Sequence, residues 1–175
     1  MKFSHILIAS FALLFVSSGL PKNLQKKVDK VIKNTYNVEE FAFEAKTFDA
    51  EIVKTLPSEF GADNFFKINN ADSLLGYAYI SKAPSKTDAF DYLILLNKDL
   101  VIEKAKVLVY REDYGGEIGS KRWLKQFIGK TPKDELKYQQ NIVAISGATI
   151  SVRSMTSAVN DLLRSLQILQ SKTKL

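Results

Sequence analysis

The sequence predicts an α+β fold: a single domain in which an antiparallel sheet packs against helices, with a long C-terminal amphipathic helix. Two helical patterns, at residues 21–34 and from residue 149 onward, enclose a region rich in β-branched and aromatic residues. Short turn segments separate the strand-like runs of that region, which favours antiparallel neighbours. With 175 residues, of which 46% are apolar, the chain is long enough to bury one core.

The first predicted helix covers residues 21–34. Its apolar side chains recur at helical spacing, and lysines occupy the other face. The apolar face consists of Leu24, Val28, Val31 and Ile32. The pattern indicates a helix that packs on the core and carries no site chemistry.

Four runs with the composition of strands follow, at residues 63–69, 73–85, 89–97 and 101–113. The last two are joined by a short turn, so residues 89–97 and 101–112 are predicted to form an antiparallel hairpin. Lys104 and Lys106 alternate with Ala105 and Val107. That alternation is typical of a sheet with one solvated face.

The C-terminal part begins with a predicted helix at residues 120–130, which Gly129 and Pro132 end. Its core-facing residues are predicted to be Trp123, Leu124 and Phe127. A polar linker at residues 131–140 then leads to a short buried strand at residues 141–145. The final helix has a strong amphipathic pattern, formed by Met155, Ala158, Val159, Leu162, Leu163, Leu166 and Leu169. Residues 166–175 form the end of this helix and a basic tail, and the tail at residues 171–175 is expected to fray.

Residues 1–18 differ from the rest of the chain. Lys2 supplies a positive start, an apolar stretch follows, and small residues precede Gly19. This pattern predicts a signal peptide with cleavage before Gly19, because a membrane span needs roughly 20 apolar residues and this stretch is shorter. An uncleaved N-terminal anchor is the alternative. Either places the protein in the periplasm or elsewhere outside the cytoplasm, where it can associate with the cytoplasmic membrane.

Composition excludes several classes of chemistry. The chain has no Cys, and its one histidine, His5, lies in the predicted signal peptide. A mature chain from residue 19 therefore has no Ser-His-Asp or Cys-His triad, no thiolate redox centre and no zinc site built on Cys or His. Any redox role must come from a bound cofactor.

The net charge of +6 is spread along the chain and interleaved with acids. Nucleic-acid binding needs a clustered basic patch, so no nucleic-acid partner is expected. A solvated surface is the simplest interpretation of these lysines. Attraction to anionic lipid headgroups or to an acidic protein is the alternative.

The junction Ser146-Gly147-Ala148-Thr149 lies between an apolar run and the final helix. The first N–H groups of a helix lack internal partners, and the helix dipole adds partial positive charge there. Gly147 allows close approach of backbone to a ligand, Ser146 is predicted to cap the helix, and Thr149 places a hydroxyl in the first turn. The arrangement suits a phosphate. Plain capping and tight packing are the alternative explanation.

With the helix that follows it, this junction resembles the FMN-binding domain of the C and G subunits of sodium- and proton-linked membrane redox complexes and of single-domain exported flavoproteins. The resemblance covers about residues 75–165, the expected FMN-binding core, and residues 19–74 supply the N-terminal helix and first strands. In that family a separate flavin transferase esterifies the FMN phosphate to the threonine of the motif. The resemblance therefore implies FMN on Thr149, held by Ser146, Gly147 and Ala148.

The same resemblance implies further contacts to FMN. Gly115, Gly116 and Glu117 correspond to a family loop that approaches the flavin, although a simple turn would also explain them. Arg153 matches the family pattern one turn after Thr149 and could pair with the phosphate or remain solvated. Tyr114 and Trp123 are aromatic candidates for stacking on the flavin ring, with a core position as the alternative for Trp123.

The expected function is that of an exported electron carrier, with a flavin transferase and membrane redox proteins as partners. Two positions depart from the family pattern. Val143 stands where an acidic residue usually precedes the motif, and Ser151-Val152 stands where Thr-Ser is common. The alternatives are FMN bound without the ester, an FMN-dependent reductase with a small acceptor, and a non-redox binding module that has lost flavin.

Overall fold

An antiparallel sheet of five strands lies at the centre of the part of the chain that the structure describes. The structure is a computed structural model that describes residues 19–71, 73–172 and 175. The predicted signal peptide lies outside the described residues, and so does part of the basic tail. The strands follow chain order across the sheet: β1 (Ala42–Ala45), β2 (Phe65–Asn70), β3 (Ser73–Pro84), β4 (Ala89–Asn97) and β5 (Ile102–Val109).

The helices flank this sheet. In chain order they are α1 (Lys22–Tyr36), α2 (Ala50–Val53), α3 (Lys121–Leu124) and α4 (Thr149–Ser171). Short 3-10 helices at Gly116–Gly119 and Lys125–Phe127 adjoin α3. None of the helices in the described ranges is long and apolar enough to cross a membrane.

The sheet is buried on both faces, which explains the nearly continuous apolar sequence of β4. Successive residues of a strand point to opposite faces. Leu93 and Leu95 therefore pack in the core under α1, whereas Tyr92, Ile94 and Leu96 pack in the core under α4. The fold thus has an α1 layer, a sheet and an α4 layer.

The α1 layer is built from the predicted apolar face. Leu24, Val28 and Ile32 are buried against the sheet, and each such side chain contributes about 1.5–3 kcal/mol. The helix ends at Asn37, whose left-handed backbone turns its N–H back to Lys33.

The α4 layer holds the larger core. The buried face of α4 includes Leu162, Leu163, Leu166 and Leu169. Loops are anchored to the same helix, because the Asn160 side chain accepts a hydrogen bond from the Leu136 N–H at 2.9 Å. The predicted α+β class, the first helix, the hairpin and the long final helix are confirmed.

Two predicted elements differ from the structure. Residues 120–130 do not form one helix, because α3 ends after four residues in a 3-10 turn and Gly129 has a positive φ of 81°. The predicted buried strand at residues 141–145 is wrong, since only an isolated bridge joins Tyr138 and Ile142 there. β1 and α2 are short and lack a strong periodic pattern, and the sequence did not predict them.

The reason for the missing strand lies in its neighbours. The Trp123 indole donates to the Val143 carbonyl at 2.8 Å, and the Gln126 side chain accepts from the Val143 N–H at 2.7 Å. Residues 129 and 130 pair with the adjacent edge of β5 instead. The Ile102 N–H donates to the Lys130 carbonyl, and the Gly129 N–H donates to the Ile102 carbonyl. The run therefore has backbone partners without belonging to the sheet.

Candidate functional site

Thr149 is the first residue of α4. No side chain caps this N-terminal end of the helix, where Ala148 holds the N-cap position. The prediction that Ser146 caps α4 is wrong, because Gly147 adopts a left-handed conformation with φ of 78° and Ser146 lies exposed before it. Neither hydroxyl of the junction caps α4.

The first turn of α4 has free backbone donors. The first helical hydrogen bond runs from the Val152 N–H to the Ala148 carbonyl at 2.9 Å. Among the described residues, no acceptor takes the N–H groups of Thr149, Ile150 and Ser151. These groups and the helix dipole together favour an anion at this position.

The Thr149 side chain is also available. It is exposed, and no hydrogen bond joins its hydroxyl to any residue that the structure describes. The Ser146 side chain is exposed beside it in sequence. Thr149 can therefore be reached from solvent, and no group of the described chain activates it as a nucleophile.

Gly115 brings a second segment to the junction. A Cβ atom built on Gly115 would lie 2.8 Å from the Ala148 Cβ and 3.1 Å from the Gly147 carbonyl oxygen. Its φ of 79° also favours glycine. Only glycine lets this loop pack so closely against the start of α4.

Tyr110 ties the same loop to α4. Its hydroxyl lies 3.1 Å from the Ser151 hydroxyl, and its ring packs 5.9 Å from the Phe90 ring. Sequence reasoning missed both Tyr110 and Ser151. No spacing signal links them, since Tyr110 lies just after β5 and Ser151 lies in a distant helix.

Glu112 fixes the start of this loop. Its carboxylate accepts from the Thr87 N–H at 2.7 Å and from the Thr87 hydroxyl at 2.9 Å. Hydrogen bonds from Ser85 and Thr87 lower the pKa of Glu112 to about 2. The next residue back, Arg111, pairs with the buried Asp91 at 2.5 Å. These contacts hold the loop that delivers Gly115.

The remaining predicted residues are placed as follows. Gly116 and Glu117 are exposed and begin a 3-10 helix whose Ile118 is buried, and a Cβ on Gly116 would meet nothing within 4 Å. Arg153 lies one turn after Thr149, and its guanidinium stacks 4.9 Å from the Tyr138 ring. The structure therefore joins Gly115 to the Ser146-to-Thr149 junction, and it gives Arg153 an aromatic neighbour.

Large apolar side chains are exposed in the segments that form this site. Tyr114 is 83% exposed, Val143 66% and Ile150 51%. Trp123 is buried in the core and its indole donates a hydrogen bond to Val143, whereas Tyr114 is a largely exposed aromatic side chain.

These features fit FMN. The unbonded N–H groups at the start of α4 suit its phosphate, the free Thr149 hydroxyl suits an ester, and the exposed Tyr114 and Ile150 suit an aromatic ring. No group of three Cys, His, Asp or Glu residues in the described part of the chain could hold a metal ion.

Residues 87–164 match the family model of the FMN-binding domain. The matched stretch contains β4, β5 and most of α4, and it includes both segments of the site. Residues 87–164 are therefore similar to an FMN-binding domain, as the resemblance implied, and this similarity supports FMN as the cofactor. No match to the chain was found among curated proteins.

Proposed function

We propose that this FMN-binding protein is an exported electron carrier that holds FMN as a phosphoester on Thr149. The observation that supports the proposal best is the state of the α4 N-terminus. It presents free N–H donors beside an exposed hydroxyl that has no partner among the described residues. A residue needed only for capping would be engaged by the helix itself.

The proposed attachment transfers the FMN phosphoryl group onto the Thr149 hydroxyl. The Thr149 Oγ–H bond is exchanged for an Oγ–P bond, and the proton passes to a base of the flavin transferase. The phosphorus comes from an activated flavin nucleotide, in which the FMN phosphate is joined through oxygen to a second phosphate group. The P–O bond between them breaks, and the second phosphate group leaves with its electron pair. Thr149 is an attachment point and not a catalytic nucleophile, because no described side chain contacts its hydroxyl.

Bound FMN supplies the redox chemistry through its isoalloxazine ring, and the protein supplies orientation and electrostatics. The N–H groups of Thr149, Ile150 and Ser151 stabilise the negative charge of the phosphodiester. Arg153, which shares the helix face of Thr149, adds positive charge nearby. Tyr114 and Ile150 offer apolar surface to the ring.

A covalent bond would retain the flavin on an exported protein. A noncovalent cofactor released outside the cytoplasm is lost by dilution, whereas an ester keeps it. We infer membrane redox proteins as electron donor or acceptor, in line with the signal peptide expected at residues 1–18. Fractionation of cells that produce the full chain tests export, and protein found only in the cytoplasm would contradict it.

The attachment test is co-expression of the full chain with a flavin transferase, followed by intact mass and in-gel flavin fluorescence. We expect one added FMN in the parent and none in Thr149→Val. Ser157→Ala removes an exposed hydroxyl from the same helix and should keep the full load. A parent without added mass would refute the ester, and flavin retained by Thr149→Val would move it elsewhere.

Val143 is the observation that favours a second candidate, FMN held without the ester. In that case the purified chain would bind free FMN reversibly and the flavin would be lost on denaturation. Turnover of a small acceptor by the purified, flavin-loaded protein alone would favour a reductase over a carrier.

A further inference from the structure

A basic face covers the side of the sheet opposite α4. We define it as the lysines of α1 and the two lysines of β5 on the same side: Lys22, Lys26, Lys27, Lys30, Lys33, Lys104 and Lys106. Lys106 is paired in register with Leu93, and Lys104 with Leu95. Both leucines belong to the α1 core, so these lysines share that face of the sheet.

The two elements of this face adjoin each other. The Lys27 amino group donates to the Leu108 carbonyl at 2.8 Å, which ties the first turns of α1 to the end of β5. The other α1 lysines are exposed. Their amino groups therefore point to solvent from one connected surface.

The positive charge of the basic face is not neutralised within the described chain. Ion pairs between described residues use none of its seven lysines. The acids nearby are few: Asp29 accepts a hydrogen bond from Gln25 at 2.6 Å, Glu103 accepts one from Asn97 at 3.1 Å, and Glu39 lines an open groove beside Lys26, Lys30 and Lys33. The face thus carries an excess of positive charge.

We propose that the basic face lies on the anionic surface of a lipid bilayer. A broad set of flexible ammonium groups without a deep pocket suits a layer of phosphate headgroups better than one defined ligand. The apolar residues of the N-terminal segment also end only a few positions before Lys22. A signal peptide or anchor at residues 1–18, as proposed above, would bring the chain to a bilayer, and the basic face follows directly in sequence.

This orientation has a consequence for the flavin site, and that consequence rests on the proposed function. Ala148 packs in the core on the α4 side of the sheet, so the Thr149 junction belongs to the layer away from the lipid. Flavin would then face redox partners that project from the membrane, with the sheet between it and the bilayer.

The test uses the chain from Gly19 onward, which contains every described helix and strand, without flavin. Vesicles of phosphatidylcholine with about one third phosphatidylglycerol are sedimented at low salt, where charge attraction is strong. We expect the protein to sediment with these vesicles, to stay in solution with pure phosphatidylcholine, and to be released by about 0.5 M salt.

The decisive variant replaces Lys22, Lys26, Lys30 and Lys33 with Gln, which keeps helix propensity. Lys27 is spared because it bonds Leu108. The matched control replaces Lys121, Arg122, Lys125 and Lys133 with Gln. These are exposed and lie in and beside α3, which packs on the α4 side. Both variants lose the same net charge.

Each lysine near an anionic surface contributes about fivefold to binding, so the α1 variant should bind at least tenfold more weakly, while the control changes less than about threefold.

Equal loss in both variants would overturn the proposal, because net charge alone would then explain binding. No sedimentation of the parent would also overturn it and would favour an acidic protein as partner. Circular dichroism of both variants checks that they fold. Because no flavin is involved, failure here leaves the Thr149 ester untouched.

Discussion

The starts of α3 and α4 are built differently. At α3, the Ser120 side chain accepts a hydrogen bond from the Trp123 N–H at 3.3 Å, so the helix caps itself. At α4, Ala148 has no side chain that could do so, although Ser146 and Thr149 lie close in sequence. Serine and threonine are favoured as caps, yet here their hydroxyls face solvent.

The two helix starts are therefore stabilised in different ways. The start of α3 is stabilised locally by one side chain. The start of α4 is held from outside, by Gly115 and by the hydrogen bond between Tyr110 and Ser151. External support leaves the first N–H groups of α4 without acceptors among the described residues, an arrangement that suits the phosphate of the proposed site.

The largest expected effect comes from the external support of α4. Gly115→Ala places a Cβ 2.8 Å from the Ala148 Cβ at a φ of 79°. Backbone strain and overpacking together should lower the free energy of unfolding by about 2–4 kcal/mol, measured by urea denaturation. Covalent flavin should fall as well, since the junction must shift.

Gly116→Ala is the control for that prediction. The added methyl meets nothing within 4 Å, so stability should stay within about 0.5 kcal/mol of the parent. Equal losses at Gly115 and Gly116 would mean that the contact with Ala148 does not support α4.

The second prediction compares the two serines directly. Ser120→Ala removes a cap and should cost about 1 kcal/mol of unfolding free energy, with flavin attachment unchanged. Ser146→Ala removes an exposed hydroxyl that caps nothing, so stability should be unchanged while flavin attachment falls. Thermal unfolding and intact mass measure the two properties. A stability loss at Ser146 equal to that at Ser120 would contradict the distinction.

The third prediction concerns Val143. Its side chain is 66% exposed, and its backbone is held by Trp123 and Gln126 whatever the side chain. Val143→Asp should therefore leave stability within about 0.5 kcal/mol and raise the flavin-bearing fraction made by a transferase. Val143→Asn is the uncharged control. Equal fractions in the two variants would show that an acid at this position is not what limits attachment.

The sequence predicted what depends on local periodicity. The buried stripe of α4 and the β4–β5 hairpin follow from spacing and turn residues, and the Ser146-to-Thr149 junction was found from its residue types. The contact between Gly115 and Ala148 could not be predicted, because it depends on how two distant segments meet. The predicted strand at residues 141–145 failed for a related reason: Trp123 and Gln126 take the backbone groups of Val143, which a strand neighbour would otherwise bind.

The smallest effect is a pH dependence in the loop that leads to Gly115. Hydrogen bonds from Ser85 and Thr87 lower the pKa of Glu112 from 4.5 to about 2. A carboxyl with a lowered pKa stabilises the fold above its unfolded pKa, and this contribution is lost as pH falls through the folded pKa. The stability difference between the parent and Glu112→Gln should therefore be constant above about pH 5 and vanish towards about pH 2.

Urea midpoints measured across that pH range test the assignment, and Thr87→Val sharpens it. Thr87→Val removes the hydroxyl donor but keeps the N–H donor, so it should raise the pKa of Glu112 and move the loss of stability to higher pH. In the double variant Thr87→Val/Glu112→Gln this shift should disappear, since the effect of Thr87 on the pH dependence acts through the Glu112 carboxylate. A difference that persists unchanged below about pH 2 would show that Glu112 acts through packing and not through its charge.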